Sequence, residues 1–85
     1  MENKQKERAK KDLEKLNEII TLFRMQKFFG KYQKSFEFAE NYCKDAHYYY
    51  QKKDYFSSFG CSNYAYGILD GILLKEKRRP FHDSS

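Results

Sequence analysis

The sequence has no tryptophan, one proline, four glycines and two cysteines. Each scarcity excludes something. Strand-and-turn proteins need frequent Gly and Pro at their turns, so one Pro and four Gly in 85 residues point to helices. Two cysteines make no disulfide framework. A secreted domain of this size is ordinarily stapled by several bridges, so a reducing, cytoplasmic compartment is expected. Residues 1–15 are highly charged and lead into no apolar stretch of signal-peptide type. No apolar run approaches the roughly 20 residues that a membrane-spanning helix needs.

Chemical motifs are equally sparse. Gly67 and Gly71 fall inside a helical pattern and form no strand-loop-helix cradle for phosphate. No Glu-x-x-His spacing of a di-iron bundle occurs. Cys43 and His47 are one turn apart, and Cys61 should lie near them across a hairpin. The close Cys pairs of a structural zinc site are nevertheless missing. A buried Cys commonly packs as a small hydrophobe. A Cys43–Cys61 disulfide is conceivable in that hairpin but not expected in a reducing cell. Nothing around Cys43 and His47 resembles an oxyanion site. The sequence therefore predicts no catalytic residue, no metal, no cofactor and no enzyme.

What is present is a foldable mixture. Hydrophobic residues make up 40%, charged residues 34% and aromatic residues 19%, the last as 8 Tyr and 8 Phe. That apolar content is too high for a disordered chain. Large rings also give a thin core much buried area per residue. The net charge of +5 is unevenly spread. Residues 1–15 hold six basic and four acidic side chains, and residues 75–79 hold four and one, whereas residues 16–74 hold seven and six.

Periodicity predicts three helices, at about 3–28, 32–52 and 55–77, followed by a tail over 80–85. In the first, Ala9, Leu13, Leu16, Ile20 and Phe23 form the apolar stripe, widened by Ile19 and Leu22. Its first seven or eight residues carry no apolar stripe and should fray, and Gly30 should end or break it. In the second, the stripe is Phe36, Ala39, Cys43, Ala46 and Tyr50. Of the consecutive Tyr48, Tyr49 and Tyr50, Tyr48 should be the most exposed. The third carries two adjoining stripes, Ser58, Cys61, Ala65, Ile68 and Ile72 beside Phe59, Tyr66, Leu69 and Leu73. Such a helix should be central, with Gly67 and Gly71 allowing close approach of a neighbour. Asp54 should cap it, and Pro80 should stop it. A turn centred between Lys53 and Asp54 would set Ala46 against Cys61, Cys43 against Tyr64 and Ala39 against Ile68. The fold class is therefore all-α, a three-helix bundle built on an antiparallel helical hairpin with a long N-terminal helix packed on it, in a single domain.

The hairpin reads Asp45-Ala46, Tyr49, Asp54-Tyr55, Ser58-Phe59, Tyr64-Ala65-Tyr66-Gly67 and Asp70-Gly71. Over about residues 36–74 this resembles the archaeal domain-of-unknown-function family numbered 357. That family usually has Gly before the turn Asp, where this chain has Lys53. The resemblance implies a small helical fold and an archaeal, cytosolic origin, and it supplies no activity. The hairpin is also similar to a single tetratricopeptide-type unit. Such arrays need about three stacked repeats, so only the packing logic is shared.

Two sets of residues are candidate contacts. Asp45, Tyr49, Tyr64 and Asp70 are polar anchors in the hairpin, where a carboxylate near apolar stripes needs a hydroxyl or backbone partner. Asp70 could also lie level with Glu37. Lys75, Lys77, Arg78 and Arg79 could contact phosphates, or could simply complement the C-terminal helix dipole. The leading expectation is a self-associating protein-interaction module, a homodimer or a contact with another protein partner, because a thin two-striped layer leaves an apolar face. The alternative is an accessory nucleic-acid binder that uses the C-terminal basic cluster.

Overall fold

A computed structural model describes residues 2–76 of the chain, with side chains described from residue 4. Lys77, Arg78, Arg79 and the 80–85 tail lie outside the described residues. Helix α1 spans Glu2–Arg24, a short 3-10 turn spans Phe29–Tyr32, α2 spans Gln33–Gln51 and α3 spans Tyr55–Lys75. The described chain is thus a three-helix bundle, with α1 packed against the α2–α3 hairpin.

The hairpin turn is a Schellman motif. Lys53 N–H donates to the Tyr50 carbonyl at 3.0 Å, and Asp54 N–H reaches back to the Tyr49 carbonyl at 2.9 Å. The motif requires a left-handed residue after the helix, and Lys53 takes that conformation, with φ of 64°. Asp54 then caps α3 by accepting from Ser57 N–H at 3.1 Å. Three contacts fix the register beyond the turn. Tyr50 meets Tyr55, Ser58 Oγ donates to the Ala46 carbonyl at 2.8 Å, and Tyr42 meets Tyr64. These pairs centre the turn between Lys52 and Lys53, one residue earlier than the sequence suggests. Tyr64 accordingly faces Tyr42 where Cys43 was expected.

Helix α1 runs parallel to α3. Arg8 stacks over Phe59, Asp12 accepts from Asn63 Nδ2 at 3.4 Å, and Lys15 lies over Tyr66. The constant offset along both chains shows that the two helices run in the same direction. α1 is helical from Glu2, and Arg8 contacts Phe59 of α3.

Helix α1 stops at Arg24, four residues short of the expected end. Phe28 and Phe29 do not continue it. They turn back so that their rings meet Phe23 edge-on at 5.7 and 6.1 Å, while Phe36 stacks on Phe23 at 5.7 Å. Burial of four rings together outweighs the last turn of helix. Gly30 sits in the 3-10 turn and does not adopt positive φ.

The core is Leu16, Ile19, Phe23, Phe36, Ala39, Ala65, Leu69 and Leu73. Ile19 takes the central place on α1 and Ile20 the flank. On α3 the buried line is Ser58, Ser62, Ala65, Leu69 and Leu73, running between the two expected stripes. Ser62 is buried because its hydroxyl donates to the Ser58 carbonyl of its own helix at 2.8 Å.

Candidate interaction surface

The outward face of α3 differs from an ordinary solvent face. Residues recurring at steps of four and three share one side of a helix. Gly60, Tyr64, Gly67, Gly71 and Leu74 follow those steps, and every one is exposed. Tyr64 and Leu74 are each 54% exposed. Asp70 and Lys75 are the only charged residues in all of α3. A helix that is apolar or uncharged all round normally has a neighbour all round.

The three glycines of this line contradict the expected role for Gly67 and Gly71. A Cβ built at Gly60, Gly67 or Gly71 meets nothing within 4 Å. None has positive φ. Each Gly costs about 1 kcal/mol against Ala inside a helix. No contact among the described residues requires these residues to be Gly.

Tyr64 joins this line to α2. Its ring meets Tyr42 with centroids 4.6 Å apart, and Tyr42 in turn meets Phe38 at 5.4 Å. Phe38 is 52% exposed. Lys34, Ser35, Phe38, Tyr64 and Ile68 line a shallow hollow between the two helices. Phe38, Tyr42 and Tyr64 extend the α3 face into an aromatic shoulder, with Lys34 at its edge.

The four hairpin residues singled out from sequence do not converge. Asp45 is exposed on α2, so it needs no buried partner. Tyr49 is half-buried and packs on exposed Tyr48. Asp70 is half-buried and is engaged by a neighbouring group, while Glu37 is exposed. By the observed register Asp45 lies level with Gly60, about 15 Å along the axis from Asp70 at 1.5 Å per residue.

Neither thiol is activated. Burial pushes the Cys43 thiol up, aided by the Glu40 charge. Burial also raises Cys61, with Asp45 and Asp54 adding to the effect. Both cysteines are unpaired. Among the described residues no group of three or more His, Cys, Asp or Glu could hold a metal ion.

Of the C-terminal basic cluster, only Lys75 is described. It is exposed, and its ammonium lies 6.0 Å over the Tyr32 ring. Beside it, Tyr32 donates to Glu76 Oε2 at 2.5 Å and Lys31 pairs with the same oxygen at 3.5 Å. The Tyr32 hydrogen bond is the main cause that holds the Glu76 carboxyl below the usual range.

The family described as Protein of unknown function (DUF357) matches residues 6–74. The chain belongs to this family. The match reaches well beyond the hairpin and takes in all three helices, so the DUF357 unit here is the whole bundle. No curated protein and no solved structure matches this DUF357 chain. No described helix is long and apolar enough to cross a membrane.

Proposed function

We propose that this DUF357 protein is a self-associating interaction module, and that a second copy of the chain covers the outward face of α3. The observation that carries this reading is the uncharged line of Gly60, Tyr64, Gly67, Gly71 and Leu74. Three helix-weakening glycines with open space above them are accounted for if another helix comes close there. Small residues let two helix backbones approach, while Tyr64 and Leu74 at the flanks supply apolar area. The aromatic shoulder of Tyr42 and Phe38 widens the contact.

Burial raises both thiols, which holds the cysteines away from the reactive thiolate and speaks against a cysteine nucleophile. Two half-buried, unpaired cysteines also suit a reducing compartment.

A dilution series followed by amide NMR tests the reading. The Gly60, Gly67 and Gly71 amides should shift as the protein is diluted, while those of the turn at Lys53 stay fixed. Amides that do not move over the whole series, or that move only on α1, would refute it.

A further inference from the structure

We propose that the end of the bundle carrying the α2–α3 turn binds single-stranded nucleic acid, with a base stacked in the aromatic pocket beside Arg8. The site adjoins the turn end of the α3 face, where exposed Phe56 lies one turn before Gly60, and it is remote from Lys75 at the other end of α3. It exists because α1 runs parallel to α3, which brings the N-terminal part of α1 beside the turn.

Charge is the first support. Residues 2–12 and 44–56, which make up that end, hold eight Lys or Arg against five Asp or Glu, a net of +3. The rest of the described chain, 13–43 and 57–76, holds six of each and is neutral. The whole net charge of the described residues thus sits at one end. A polyanion is attracted there, and a second copy of the same basic end is repelled.

The pocket is the second support. Gln5, Arg8, Tyr55, Phe56 and Phe59 line a cavity of about 250 Å³. Phe56 is 81% exposed, the most exposed of the large apolar side chains among the described residues. Arg8 lies 5.1 Å over the Phe59 ring. No carboxylate among the described residues forms an ion pair with its guanidinium. Nearby on the same end, Lys52 lies 5.6 Å over the Tyr48 ring, and Tyr48 is 56% exposed. Flat exposed rings interleaved with cations match what a single strand offers. Every base has a face that stacks, and every linkage has a phosphate. An acidic peptide would satisfy the cations and leave Phe56 without a planar partner.

The test is fluorescence anisotropy on the full chain, with labelled oligo(dT) and oligo(U) of about ten nucleotides. A duplex of equal length and an oligoglutamate peptide are titrated in parallel. The single strands should bind best, with affinity falling steeply between about 50 and 200 mM salt. Phe56→Ala should weaken them about fivefold or more, with the circular dichroism unchanged because Phe56 is exposed. Arg8→Glu should weaken them further. The Gly67→Lys variant should bind as the wild type does, which separates this site from self-association. The proposal is overturned if the single strands do not bind at low salt, or if oligoglutamate or the duplex binds as tightly. It is equally overturned if Phe56→Ala changes nothing while Ala at Lys75, Lys77, Arg78 and Arg79 abolishes binding. Lys75, the described member of that cluster, is in the last turn of α3, about 30 Å from Phe56 at 1.5 Å per residue.

Discussion

The Tyr42 ring on α2 meets the Tyr64 ring on α3 with centroids 4.6 Å apart and planes at 61°. This contact marks where the hairpin interior ends. Inside it lie Ala39, Ala46 and Ala65, all fully buried. Outside it Tyr64 turns its remaining surface to solvent, in line with three glycines. The bundle's interior is thus satisfied by its own residues, while the α3 exterior is built like an interior.

The turn holds an identifiable strain. Lys53 occupies the left-handed position of the Schellman motif, which costs a residue with a Cβ about 1–2 kcal/mol. Lys53→Gly removes that cost but adds freedom to the unfolded chain. A net gain of about 1 kcal/mol is expected, seen as a rise of about 4–8 °C in the melting temperature. An unchanged or lower melting temperature would show that the lysine side chain contributes something the turn geometry does not reveal.

How much of this was legible in the sequence depends on the kind of signal. The helices themselves were, because Leu13, Leu16 and Phe23 on α1 and Phe36, Ala39 and Ala46 on α2 repeat at helical spacing. Asp54 was readable as a cap because its short side chain acts locally. The end of α1 was not, because Phe28 and Phe29 look like more helix until Phe23 and Phe36 draw them back. The direction of α1 was not either, since Arg8 meeting Phe59 is a tertiary fact. Ser62 was overlooked because a serine reads as surface until its hydroxyl is bonded to its own helix. On α3 the sequence shows Gly67 and Gly71 one turn apart, which suggests room for a neighbouring helix. Within the described chain both face open space, because the buried line of α3 runs through Ser58, Ser62, Ala65, Leu69 and Leu73 on the other side.

Ser58 ties the two hairpin helices together. It is fully buried, and its hydroxyl donates to the Ala46 carbonyl across the interface. Ser58→Ala loses that bond but keeps the close fit, at a cost of about 0.5–1.5 kcal/mol. Ser58→Leu overpacks the same place and should cost about 1–3 kcal/mol in addition. Urea unfolding of both variants checks the order. Equal stability of the two would contradict a tightly packed interface at Ser58.

Acid should loosen the junction of the 3-10 turn with the end of α3. Glu76 is held below the usual glutamate range, first by the Tyr32 hydroxyl and then by the Lys31 charge. A lowered carboxyl stabilises the folded chain above the ordinary glutamate value, and that stabilisation is lost as pH falls through the lowered value. Tyr32→Phe should move the Glu76 titration, followed by carbon NMR, part of the way up. The stability difference from wild type should be present at neutral pH and vanish in acid. A Glu76 titration identical in both proteins would show that the hydrogen bond does not act.

The most direct test of the central claim is the solution mass by light scattering, measured for wild type and for Gly67→Lys at low and at high salt. Lysine is a better helix former than glycine, and its Cβ enters open space, so the single chain should fold at least as well. A second chain on the α3 face would meet a charge in its seam. The account predicts a wild-type dimer that persists in salt and a folded monomer for Gly67→Lys. A wild-type monomer at both salts, or a Gly67→Lys dimer as tight as the wild type, would contradict it.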